Sequence, residues 1–139
     1  MAALTLEIIT PNRIQFNGEV QSVTIPGTEG SFQVLKNHAP LMSTFEIGEV
    51  KVVLPDGKET EYASGGGTVE VLDNHVLVLA DSLEQINDID VDRARSAKER
   101  AQERLAHKTD TTDVERAENA LKRAVNRLRL VEKYIRAEL

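Results

Sequence analysis

The chain has no cysteine and no tryptophan, and only three phenylalanines, two tyrosines and four prolines among its 139 residues. Without cysteine there is no disulfide framework and no thiolate chemistry, and a reducing compartment fits. The scarcity of aromatics removes a stacking platform for bases. No apolar run approaches the ~20 residues that a membrane-spanning helix needs. The opening Met1-Ala2-Ala3-Leu4-Thr5 lacks the basic start and apolar stretch of a secretory leader, so none is expected.

Hydrophobic residues make up 40% of the chain, enough to bury a core. Charge is unevenly spread. Residues 1–85 carry 4 Lys+Arg against 12 Asp+Glu, a net of −8, whereas residues 86–139 carry 13 against 11, a net of +2. An acidic front and a mildly basic back argue for two units with different partners. An acidic surface repels phosphate, which argues against nucleic-acid binding by the front.

Leu4-Thr5-Leu6-Glu7-Ile8, Val23-Thr24-Ile25 and Phe32-Gln33-Val34 alternate apolar and polar residues, the pattern of strands with one face on a core. Pro11-Asn12, Pro26-Gly27, Asn37 with Pro40, and Gly48 punctuate them. Two hairpins are predicted. Val50-Lys51-Val52-Val53-Leu54 turns through Pro55-Asp56-Gly57 into Glu59-Thr60-Glu61-Tyr62-Ala63. Val69-Glu70-Val71-Leu72 turns through Asp73-Asn74 into His75-Val76-Leu77-Val78-Leu79. Short strands joined by such turns predict an antiparallel β-sandwich or flattened barrel over residues 1–85.

After Ala80 the strand formers give way to Ala, Arg, Glu, Lys and Leu. Over residues 91–108 the apolar positions Val91, Ala94, Ala97, Ala101 and Leu105 mark one helical face, with Asp88, Asp90 and Asp92 at its start. Lys108-Thr109-Asp110-Thr111 reads as a turn. Thr112 followed by Glu115 reads as a capping box for a second helix. Its seam is Val114, Ala117, Leu121, Ala124, Leu128, Val131 and Ile135, a heptad pattern. Residues 86–139 are therefore expected to form an antiparallel two-helix hairpin.

Nothing in this pattern is catalytic. His38, His75 and His107 lie in three different elements without ligand spacing, and no nucleophile elbow or phosphate loop is present. Gly65-Gly66-Gly67 is followed by neither Lys-Ser/Thr nor a helix, and reads as a site of close backbone approach or a sharp bend. The arginines are more informative. Arg93, Arg100 and Arg104 are spaced 7 and 4, and Arg116, Arg123 and Arg127 repeat that spacing, so each helix carries an arginine row. Three readings stand: a solvated face paired with Glu99, Glu103, Asp92 and Glu118, an anion site between folded-back helices, or a surface that docks on an acidic protein.

Along essentially its whole length the chain resembles the epsilon subunit family of the F-type ATP synthase. The resemblance rests on Gly27-Thr28-Glu29-Gly30-Ser31-Phe32, His38-Ala39-Pro40-Leu41, Ser64-Gly65-Gly66 with Val69-Glu70-Val71, and Val78-Leu79-Ala80-Asp81. The chain departs from the family where many members have glycine or proline before the histidine; Gln33, Lys36 and Asn37 stand there. The resemblance implies an N-terminal β-sandwich and a C-terminal helical hairpin in a rotor-stalk subunit that is not itself catalytic. It implies the gamma subunit, the c-ring and the alpha and beta subunits as partners, and coupling to proton or sometimes sodium flow. Its implied place is peripheral, on the cytoplasmic face of a bacterial inner or plasma membrane, with the plastid thylakoid as the alternative. The segments Glu29-Gly30-Ser31 and His38-Ala39-Pro40 are the implied ring and stalk contacts. The tail carries a second likeness. Ile89-Asp90-Val91-Asp92-Arg93-Ala94 resembles the motif of members whose folded hairpin binds ATP, and Glu84, Arg100, Arg123 and Arg127 fall where those members place further contacts. No cofactor is required by this reading; ATP is its regulatory ligand.

A reading from another class remains beside it: a free-standing small-molecule sensor or adaptor with a helical switch. An enzyme is disfavoured by the lack of any nucleophile, metal or acid–base cluster.

Overall fold

The computed structural model describes residues 2–135. The outer ends of the two expected segments, residue 1 and residues 136–139, lie outside the described residues. The chain divides into two compact units, Met1–Gln85 and Ile86–Leu139.

The first unit holds eight strands: β1 (Thr5–Ile9), β2 (Ile14–Glu19), β3 (Ser22–Gly27), β4 (Gly30–Leu35), β5 (Leu41–Val53), β6 (Glu59–Leu72), β7 (His75–Ala80) and β8 (Leu83–Gln85). They pair in the order β2-β1-β7-β6-β5-β3-β4, and β8 pairs with β6. The two long strands serve both layers. Residues 41–45 of β5 and 67–72 of β6 pair with each other and, through β7, lead to β1 and β2. Their other halves lead to β8 on one side and to β3 and β4 on the other. Between the layers lies an aliphatic core in which Leu6, Ile8, Val23, Ile25, Val34, Val50, Val52, Val76 and Val78 are fully buried. Strand alternation puts these residues inside, and each is stabilised by roughly 1.5–3 kcal/mol of transfer free energy.

The expected β-sandwich and helical pair are present, with differences. β1 runs parallel to β7 in an otherwise antiparallel sheet. β2 lies in a segment that carried no strand signal, because Asn17-Gly18 interrupts its alternation. Gly48 and the glycine triplet do not end strands but lie inside β5 and β6. The triplet is where β6 passes from its pairing with β7 to its pairing with β8. A Cβ on Gly67 would fall on the carbonyl oxygen of Leu79, and a Cβ on Gly65 on the Ser82 hydroxyl, so the strands can meet this closely only without side chains there.

In the second unit a 3₁₀ turn (Ile86–Asp88) precedes α1 (Val91–Ala106), and α2 (Val114–Tyr134) packs against both. Asp90 caps α1, its carboxylate accepting from the Arg93 amide at 3.0 Å. The cap of α2 is Asp113, not the expected Thr112: the Arg116 amide donates to Asp113 Oδ1 at 3.0 Å. Thr112 instead closes the preceding turn, its hydroxyl accepting from the Thr109 amide at 2.9 Å. A carboxylate outcompetes a hydroxyl at this position because it also meets the positive end of the helix dipole. The seam is corrected at one end. Ala117, Ala124 and Val131 are buried as expected, but the fully buried leucine is Leu130 and Leu128 is only half-buried. Leu130 and the buried Asn126 form a second covered flank of α2, outside the heptad stripe.

Candidate functional site

Two surfaces carry the site residues singled out above. The first lies on the sandwich. On the outer side of β5, β6 and β7, a groove of about 460 Å³ is lined by Ser43 and Val69 and, from the outward-facing positions, by six residues: Met42, Thr44, Thr68, Glu70, Leu77 and Leu79. Met42 is 77% exposed and Leu79 45% exposed. Strand register explains the grouping. Met42 pairs with Glu70 and Glu70 with Leu77, while Thr44 pairs with Thr68 and Thr68 with Leu79. These six share one parity on their strands, and the opposite parity, Val69 among it, supplies the core.

The two implied contact segments flank this groove. Glu29, Gly30 and Ser31 are exposed at the β3–β4 turn, where the Thr28 hydroxyl lies 3.4 Å from that of Thr44. His38, Ala39 and Pro40 lead directly into β5, with Ala39 and Pro40 exposed and His38 half-buried. His38 Nδ1 lies 2.7 Å from the Ala39 carbonyl oxygen. Asn37 anchors this connection to the β6–β7 turn. Its backbone amide donates to Asn74 Oδ1 at 2.6 Å, and Asn74 Nδ2 donates to Asn37 Oδ1 at 3.3 Å. The groove itself was missed from sequence. Its signal was the run Val76-Leu77-Val78-Leu79, apolar on both faces of a strand, which marks a strand that is covered on both sides.

The opposite layer presents a different face. Lys51 Nζ lies 3.3 Å from Glu59 Oε2 and pairs in register with Glu61. Partial burial holds the Glu61 carboxyl above the ordinary carboxylate range; Lys51 pulls it down, and Glu59 and Glu49 push it up.

The second surface is helical. Arg93, Arg100, Arg116 and Arg123 each immediately precede a buried alanine, namely Ala94, Ala101, Ala117 and Ala124. All four therefore lie on the same flank of their seam, about 100° from it. In an antiparallel pair like flanks meet along one edge, so the two rows border a common edge of the hairpin. Arg93, Arg100 and Arg116 are exposed, and Arg123 and Arg127 are half-buried. Of the carboxylates in the solvated-face reading, Asp92 pairs with Arg95 at 3.6 Å and Glu103 with His107 at 3.3 Å. Asp90 is occupied as the α1 cap, and Ile89 and Ala94 are buried. Glu84 is half-buried on β8. Arg123 shares a shallow polar hollow with Asp113, Glu115, Arg116 and Asn119. Two carboxylates in that hollow make it a poor seat for a polyphosphate; the common edge of the rows is the better one.

No helix among the described residues is long and apolar enough to cross a membrane. No cluster of His and carboxylates that could hold a metal occurs among them.

Comparison with known proteins places this arrangement. Residues 3–86 match the family described as ATP synthase, Delta/Epsilon chain, beta-sandwich domain, and residues 87–132 match its long alpha-helix domain. The ATP synthase epsilon chain of Syntrophomonas wolfei is 42% identical over 128 residues, covering 92% of this chain and 93% of the relative. That of Nitratidesulfovibrio vulgaris is 44% identical over 128 residues, covering 92% and 95%. Among solved structures, a chain of the Euglena gracilis mitochondrial ATP synthase OSCP/F1/c-ring assembly shares the fold with a TM-score of 0.77 at 22% identity, covering 88% of this chain and 77% of that one. With both domains matched in order and relatives aligned over nearly their full length, the chain belongs to the ATP synthase delta/epsilon chain family.

Proposed function

We propose that the protein is the epsilon subunit in the central stalk of a proton-translocating F-type ATP synthase, joining the gamma subunit to the c-ring and performing no catalysis itself. The observation that carries this reading is the full-length match, in order, of both domains to epsilon chains. An acidic sandwich with an exposed apolar groove suits a subunit that works by docking. In this reading Glu29-Gly30-Ser31 and His38-Ala39-Pro40 reach the ring and stalk, and the complex holds the chain at the cytoplasmic face of a bacterial membrane. Tagged full-length protein, recovered from gently solubilised membranes of its host, should bring down a large ATPase containing gamma and c-ring subunits. Recovery of the chain alone would instead favour the free-standing sensor.

The helical unit acts in this reading as a brake on ATP hydrolysis. Its two arginine rows offer cations to the acidic surface of the neighbouring alpha and beta subunits. The same edge can take ATP, whose phosphates relieve the mutual repulsion of the guanidinium groups. The favouring observation is that Arg93, Arg100 and Arg123 border one edge and make no ion pair with a helix carboxylate among the described residues. Calorimetry with full-length protein should show ATP binding that weakens at least tenfold in Arg93→Ala and Arg127→Ala and stays unchanged in Lys108→Ala. Equal affinity in all three variants and the wild type would remove the nucleotide site and leave the stalk assignment standing.

A further inference from the structure

One edge of the sheet lacks the features that normally keep strand edges apart. β4 ends the strand order, and its far side pairs with no strand among the described residues. Its six residues, Gly30 to Leu35, include no charge and no proline, and its register with β3 runs without a bulge. Charge, proline and bulges are the usual means of blunting an edge. β2, at the other end of the order, faces a register shift between Ile8 and Ile9 and holds Gly18 within it.

Ladder alternation shows which backbone groups of β4 are free. Pro26 has no N–H to give, so its pair with Ser31 exchanges no bonds, and the alternate pairs Thr24–Gln33 and Ser22–Leu35 follow it. The N–H and C=O groups of Ser31, Gln33 and Leu35 therefore point away from β3. All three residues are exposed, Leu35 at 52%. The Leu35 carbonyl accepts from the His38 amide at 3.2 Å and keeps a second lone pair.

We propose that β4 pairs antiparallel with β4 of a second copy of this chain, about a two-fold axis through Gln33. In this register Gln33 faces Gln33 of the second copy, and Ser31 and Leu35 face each other at both ends, so each outward N–H meets an outward C=O. A shift either way would set Leu35 against Glu29 in the turn, or Ser31 against Asn37 beyond the strand. Phe32 comes opposite Val34 on the core side, and the exposed Leu35 covers Ser31 on the outer side. No like charges meet. Lys36, just past one end of β4, arrives beside Glu29, just before the other end, and neither forms an ion pair among the described residues. A strip this narrow falls below a standard interface, so the dimer is reversible and depends on concentration. In the stalk reading Glu29-Gly30-Ser31 reaches the ring, which makes the paired form one of the chain outside the complex. The pairing itself does not depend on that reading, and its failure leaves that reading standing.

The test is sedimentation velocity of isolated full-length protein from about 10 µM to 1 mM. Wild type should move from 15.4 kDa toward twice that mass as concentration rises. Gln33→Lys and Gln33→Glu each set like charges face to face across the axis, and each should weaken association about tenfold. An equimolar mixture of the two should recover it, and high salt should remove that recovery. Asn17→Lys, exposed on β2, should associate as wild type does. Thermal melts matching the wild type establish that the variants are folded. Hydrogen exchange on wild type needs no variant: the Ser31, Gln33 and Leu35 amides should slow about tenfold across the concentration range, whereas those of Phe32 and Val34, already bonded to β3, should not change. Wild type that stays monomeric throughout overturns the proposal. So does a mixture that fails to associate, or an Asn17→Lys variant that abolishes pairing. Protection of the β4 amides that appears only when the ATPase is added would assign the edge to another chain and overturn it as well.

Discussion

Asn37 and Asn74 clasp each other across 37 positions of sequence, the Asn37 amide donating to Asn74 Oδ1 at 2.6 Å and Asn74 Nδ2 donating to Asn37 Oδ1 at 3.3 Å. Both residues have left-handed backbones, with φ of 67° and 61°. Asparagine tolerates that region better than other residues with a Cβ, and its amide then bonds locally. The Asn74 carbonyl also accepts from the Thr5 amide at 2.9 Å, so one residue ties the connection before His38 to the edge of β1. Asn37→Gly should lose less than about 1 kcal/mol, because only the side-chain bond goes. Asn37→Ala should lose about 1–2 kcal/mol, since the left-handed backbone is then strained as well. Urea unfolding of the two variants checks the order; an equal loss in both would mean that the clasp, and not the backbone, dominates.

Gly67 is the least replaceable glycine of the triplet. A Cβ there meets the Leu79 carbonyl, which is backbone and cannot swing away. Gly67→Ala should cost about 2–3 kcal/mol by forcing β6 and β7 apart. Gly57→Ala, at an open hairpin turn with φ of 89°, pays backbone strain alone and should cost less. Thermal denaturation of the pair would expose an error if Gly57→Ala proved the more damaging.

The helix caps make a prediction that separates two neighbours in sequence. Asp90→Ala and Asp113→Ala each remove a carboxylate from a free amide at a helix N-terminus and should cost about 1 kcal/mol. Thr112→Ala removes only a turn contact and should cost about half that or less. Far-ultraviolet circular dichroism through a thermal melt gives the comparison. A Thr112 effect equal to that of Asp113 would restore the capping box.

Glu61 gives a pH dependence of defined sign. Its carboxyl titrates above the ordinary range, chiefly because burial penalises the charged form. The fold therefore favours the protonated acid, and that contribution is present at low pH and lost as pH rises through the folded-state value. Glu61→Gln should be more stable than wild type at pH 7, and the two should converge below about pH 4, where both side chains are neutral. A glutamine variant that is less stable than wild type at pH 7 would show that the attraction to Lys51 outweighs desolvation.

Much of this was legible one element at a time. Leu6, Ile8, Val23, Ile25 and Val34 sit at alternating positions, and all are buried. Ala94, Ala101, Ala117 and Ala124 sit at heptad spacing, and all are buried as well. Periodicity reads correctly here because a strand or helix has only one way to turn a given spacing toward a core. Errors fell where two local signals competed. Thr112 and Asp113 both qualify as caps, and the choice between them depends on where the turn after α1 releases the chain. Leu128 and Leu130 are both leucines near the seam, and Leu130 is the one fully covered because α2 has a second buried flank that no single-stripe pattern anticipates.

By itself, then, the amino-acid order determined which residues face inward, where the chain changes from strand to helix formers, and that each helix carries an arginine row. Those are consequences of short-range geometry, repeated every two or every 3.6 residues. Only the tertiary structure decided that β1 lies parallel to β7, that Glu7, Leu77 and Glu70 form one row, and that Asn37 meets Asn74. Each joins residues that are seven to 70 positions apart, and the partner is chosen by how the whole sheet closes over its core, a condition that no local pattern contains.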